Sequence, residues 1–214
     1  MSVLAEIKSD TEGDPPVVIY LEQTPFGEHV YYISDADIDA DGANGQNGKP
    51  AAYQIDNNGK EIGTDRLANL DIHIVNKIPV FKRKNSPRNV VTDEQNEPRI
   101  FPGGIIASKT SLKRKGVSSD DPAAYIDSET VCYIAIPSVI IKKTQGKVMG
   151  CRARVAWKGQ SVECIVADSS GERIGELSIA AARALGMSGN PGHGGSDNDE
   201  VHYELWPGQM VTIF

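Results

Sequence analysis

"VADSSGERIGELSIAAARALGM", residues Val166 to Met187, lays down a strand end, a turn and a helix in succession. The apolar run "VECIVA" that leads into it favours a strand, because β-branched side chains suit a pleated, half-buried surface. "SSGERIG" supplies turn residues. "LSIAAARALGM" then offers Ser178 as N-cap, alanine-rich helix propensity, Ile179, Ala182 and Leu185 on one stripe, and Gly186 as the stop. A helix of about ten residues is expected there. The unit places Asp168 at a strand end, where the ladder holds it, and Glu176 just before a helix, where orphan backbone amides tune acidity.

Outward from this unit the second half reads as closely spaced strands: 130–141, 147–157, 161–169, 200–206 and 210–214. The first half alternates turn clusters such as "DGANGQNGKP" with short strand-like runs at 17–23, 29–34, 52–56 and 71–75. Residues 1–15 read as an N-terminal tail, 81–122 as a polar excursion and 130–214 as the barrel core of a single 214-residue domain. The expectation is a mainly β fold, barrel or sandwich, interrupted by the helix.

A net charge of −7 and a pI near 5.1 disfavour nucleic acid and anionic membrane, since a phosphate binder needs a positive field. The basic stretches "FKRKNSPRN" and "SLKRKG" lack interleaved aromatic platforms and read as solvated. No apolar run reaches 18 residues, and the first residues lack a secretory signal's basic start and apolar stretch. Cys132, Cys151 and Cys164 lie in apolar runs and read as buried thiols. The four histidines are scattered without metal-ligand spacing, so no zinc site is expected, and no cofactor is assigned.

"SDADIDADGANG", Ser34 to Gly45, places aspartates at 35, 37, 39 and 41. On an extended segment all four would share one face, with Ala36, Ile38 and Ala40 toward the core. Against a calcium-loop template Asp37, Asp39, Asp41 and Gly42 fit, but the twelfth position is Gly48 instead of Glu. Calcium, a cationic substrate gripped by the carboxylates, and a hydrated turn remain as readings.

Asp168 and Glu176 stand eight residues apart across the turn. Glycoside hydrolysis needs such a pair: a protonated group donates to the leaving oxygen while an ionised one activates water. Glu172, inside the turn, is a third candidate. Tyr133, Trp157 and Trp206 are either core residues or sugar-stacking platforms.

"DADIDADG" (Asp35 to Gly42), "YIAIPS" (Tyr133 to Ser138) and "VADSSGERIGELS" (Val166 to Ser178), in that order, resemble the fungal-type chitosanases of glycoside hydrolase family 75. The resemblance implies an inverting endo-chitosanase with Glu176 as general acid and Asp168 as general base. It also implies chitosan as a cationic polysaccharide partner gripped by Asp35, Asp37, Asp39 and Asp41, a monomer, and an extracellular setting. The Asp-turn-helix segment is similar to RlpA-like and expansin-like double-psi β-barrels. That likeness implies a six-stranded double-psi-type barrel with extra N-terminal strands and one or two short helices. The related alternatives are a peptidoglycan-cleaving lytic-transglycosylase-like barrel, with Asp168 alone as acid and base, and a non-catalytic expansin-like polysaccharide binder.

Overall fold

Alternation of inward and outward side chains runs through residues 30–36 and 201–207 of this chain. The computed structural model describes residues 1–8, 15–86 and 88–212, so residues 9–14 of the expected tail, Pro87 of the basic stretch and the last two residues of the strand expected at 210–214 lie outside them. The chain divides into two compact units, Met1–Asp39 with Thr130–Phe214, and Ala40–Glu129.

The first unit begins with β1 (Ser2–Ile7), β2 (Val17–Thr24) and β3 (Gly27–Asp39). The second unit carries five short strands, β4 (Tyr53–Gln54), β5 (Ile72–Val75), β6 (Ile78–Phe81), β7 (Ile100–Phe101) and β8 (Ile105–Ile106). The chain then returns through β9 (Tyr133–Pro137), α1 (Ser138–Lys143), β10 (Cys151–Trp157), β11 (Gln160–Gly171), β12 (Glu176–Ser178), α2 (Ile179–Ala184) and β13 (Ser196–Met210).

Six strands close on themselves in the order β3-β12-β9-β11-β10-β13, with β13 pairing back onto β3, while β1 and β2 extend from β3 outside the ring. The seams β3/β12 and β9/β11 are parallel and the other four antiparallel. This is a mainly β fold with a closed six-stranded barrel, extra N-terminal strands outside the ring and two short helices, which agrees with the expected barrel and its one or two helices. Closure leaves the ring no free edge to template aggregation. Val30, Tyr32, Ala36, Ile134, Leu177, Tyr203 and Leu205 are among the buried residues inside. Leu177, fully buried, is expected to cost about 2–5 kcal/mol on truncation to Ala.

Several expectations are corrected. Residues 2–7, read as tail, pair with β2 as a strand. The strand expected over 130–141 ends at Pro137, which sits extended (φ −66°, ψ 146°) before α1. A short β-branched run such as "SVII" does not discriminate strand from helix, and here Ile140 docks in the core while Lys142 and Lys143 complement the helix C-terminus. Helix α2 is six residues long rather than about ten, although Ser178 caps it as expected, its hydroxyl accepting from Ala181 N at 3.1 Å. Gly186, at φ 80°, supplies the left-handed stop. The strand expected at 200–206 begins earlier, at Ser196, and runs on without a break to Met210 as β13.

The second unit has its own small core of Val91, Ala107, Ala124 and Tyr125. Short strands cannot satisfy its backbone alone, so side chains do: Asn44 accepts from Ser108 N at 2.7 Å and donates to Ser108 O at 2.9 Å. Among the described residues no helix is long and apolar enough to cross a membrane.

Candidate active site

Strand β3 carries the aspartate comb on its outward positions. Tyr32, Ser34 and Ala36 are buried and Ile38 packs partly against the core, while Asp35, Asp37 and Asp39 alternate with them and are half-buried. The expected alternation holds through Asp39. Asp41 does not continue it: it lies past the strand's end, in the turn that opens the second unit.

A three-residue strand, β12, fixes Glu176. Glu176 pairs with Asp37 on one side and with Ala135 of β9 on the other, and Ala135 pairs in turn with Asp168 of β11. Laterally paired residues project from the same face of a sheet. Asp37, Glu176, Ala135 and Asp168 therefore form one row across four strands, and the residue between the two candidate acids is a methyl.

Asp168 reaches this row through a bulge. Val166 pairs with the core residue Ile134, yet Asp168 pairs with Ala135, the very next position of β9, so Ala167 is the extra residue. One inserted residue reverses which face the following side chain takes. Without it Asp168 would share the face of Val166 and enter the core. Asp168 is only 6% exposed and accepts a hydrogen bond from Ser169 N at 2.7 Å. One of its carboxylate oxygens lies within 4.8 Å of one on Asp39.

Burial raises the Glu176 carboxyl to about 8, with the negative charge of Asp39 adding to it, the Arg173 guanidinium opposing, and Asp37 and Asp168 contributing further. A carboxyl so placed keeps its proton at neutral pH. Glu172 is exposed in the preceding turn and has no place in the row.

The backbone before Glu176 is pinned. Gly175 has φ 93°, and a Cβ there would stand 2.3 Å from Asp35 Oδ1. Tyr203 Oη lies 2.9 Å from Asp35 O and 3.0 Å from Gly175 O, donating to these carbonyls, and Asp37 N donates to Gly175 O at 2.8 Å. Tyr203 stacks on Tyr32 with ring centroids 4.8 Å apart. Burial, with Glu176 and Asp35 adding, pushes the Tyr32 hydroxyl up.

Ala135, the Ala167 bulge, Gly175 and Tyr203 escaped sequence reasoning; only Gly175, a glycine directly before a candidate acid, left a visible signal. Tyr133 is fully buried and is a core residue. Trp157 Nε1 donates to Glu200 at 2.9 Å, and the Trp206 ring stacks on His29 and carries the Arg152 guanidinium over it. The three thiols are unpaired; Cys151 and Cys164 are buried as expected, whereas Cys132 is half-buried and precedes β9, and burial pushes Cys151 to about 12. No known protein-family model and no curated protein sequence matches the chain.

Proposed function

We propose that this protein is an endo-acting chitosanase that cleaves the β-1,4 linkage between glucosamine units with inversion. The observation that carries the reading is the Glu176–Ala135–Asp168 row with a raised Glu176. Two ladder steps separate the backbones of the two acids by roughly 10 Å. Side chains leaning across a methyl suit the about 6.5–9.5 Å that inverting glycosidases keep for the attacking water.

In the proposed cycle Glu176 gives its proton to the leaving glycosidic oxygen. Asp168 takes a proton from the water that bonds to the anomeric carbon on the opposite face, and solvent exchange resets both groups. Asp35, Asp37 and Asp39 offer negative charge to the substrate's ammonium groups. Asp41, in the sequence reading a member of the same set, belongs to the second unit and has no assigned part here.

Reducing ends released from chitosan test the reading, with Asp168→Asn and Glu176→Gln each expected to lower the rate about 10²–10⁴-fold. Inactive wild-type protein, or full activity in both variants, overturns it. Anhydro-sugars from cell walls would mark the lytic alternative, and polymer binding without soluble products the non-catalytic one.

A further inference from the structure

We infer that a second, aromatic and acidic groove on the outer face of the barrel binds chitosan remote from the cleavage row, on the same strand. The inference rests on the chitosanase reading for its ligand class, and its geometry is independent of that reading.

A groove of about 760 Å³ opens over β2, β3, β10 and β13. Cross-strand pairing explains its floor: Tyr20 faces Tyr31, Tyr31 faces Glu204, and Glu204 faces Arg154. Tyr20 and Tyr31 stack at 5.3 Å, Tyr31 and His29 at 5.3 Å, and His29 and Trp206 at 5.3 Å. The rings thus form a continuous column across the sheet, capped by Arg152 at 4.3 Å over Trp206. Exposed Ile33 continues the apolar wall.

The charge of the groove selects a cation. Glu204 is engaged by Arg154 and His29. Glu22 and Asp199, which also line the groove, have no cationic partner among the described residues. An apolar wall beside uncompensated carboxylates fits a sugar ring that carries an ammonium group.

Strand β3 is what commits the occupant to a polymer. His29, Tyr31 and Ile33 are outward positions of β3, and Asp35, Asp37 and Asp39 are the next outward positions of the same strand. From Tyr31 to Asp37 the strand advances about 20 Å. A chain laid along β3 therefore meets the aromatic groove first and the carboxylate row next, which a small cation would not.

Hexaglucosamine titrated into the Asp168→Asn, Glu176→Gln double variant, followed by backbone NMR, tests this. The expected result is shift changes at Glu22, Tyr31 and Ile33 as well as at the row. Tyr31→Ala and Glu22→Gln should each weaken binding about three- to tenfold, with Glu22→Gln guarding against a folding defect in the other. Hexamer binding at the row that leaves 22, 31 and 33 unmoved overturns the groove while sparing the chitosanase reading. Binding at the groove by a protein whose wild type releases no reducing ends does the reverse. Binding nowhere on the protein overturns the groove as well.

Discussion

Glu176 and Asp168 are both ladder partners of Ala135, one through the antiparallel pairing of β12 with β9 and the other through the parallel pairing of β9 with β11. The side chain between them is the smallest that still has a Cβ. Ala135→Val therefore places two further methyl groups between the two acids, where the proposed reaction needs the linkage and water to approach. It should cost about 1–3 kcal/mol of stability from overpacking at a 1% exposed site, and it should lower chitosan turnover about 10²-fold. Thermal melts and reducing-end assays on the same preparation separate the two effects.

Gly175 and Tyr203 pin the backbone that leads into Glu176. Gly175→Ala forces a Cβ into Asp35 at a φ that favours glycine, and should destabilise by about 1–3 kcal/mol. Calorimetry should read this as a lowered Tm. A Tm equal to the wild type would show that the β3/β12 junction is slack.

Tyr203→Phe removes the hydroxyl that donates to Asp35 O and Gly175 O. About 1–2 kcal/mol of stability should be lost. The pH at which activity declines should also shift, because Glu176 loses its fixed position, and a mere packing defect would leave that pH unchanged.

Much of the barrel was legible because its signals are local. Alternation in "HVYYISDADID", the Ser178 cap and the Gly186 stop depend on neighbours in sequence, and each is present in the structure. The ring's closure by β3 and β13 is non-local and leaves no such trace. The row depends on a single inserted residue, Ala167, which no periodicity reveals because an alanine suits both faces. The helix at Ser138–Lys143 hid behind β-branched residues that usually mark strands. Asp168 and Glu176 were visible as candidates, whereas the methyl between them was not.

Stability should depend on pH through Glu176. Its folded carboxyl titrates near 8, against an ordinary value of 4.5 in the unfolded chain. Between these values the folded state holds a proton that the unfolded state has lost, so stability falls as pH rises through that window. Glu176→Gln abolishes the penalty. Its Tm should exceed the wild type by roughly 10–20 °C at pH 9, with the difference vanishing near pH 4. On the proposed mechanism, wild-type chitosan turnover should decline as pH rises through about 8, where Glu176 loses the proton it is proposed to donate.

The most direct measurement is the titration of Glu176 itself, by carbon-13 NMR of labelled glutamate assigned through Glu176→Gln. A midpoint near 8 that falls when Asp39→Asn removes the largest added charge is the predicted result. A midpoint in the ordinary carboxylate range, unmoved by Asp39→Asn, would contradict a protonated Glu176 facing Asp168 across Ala135.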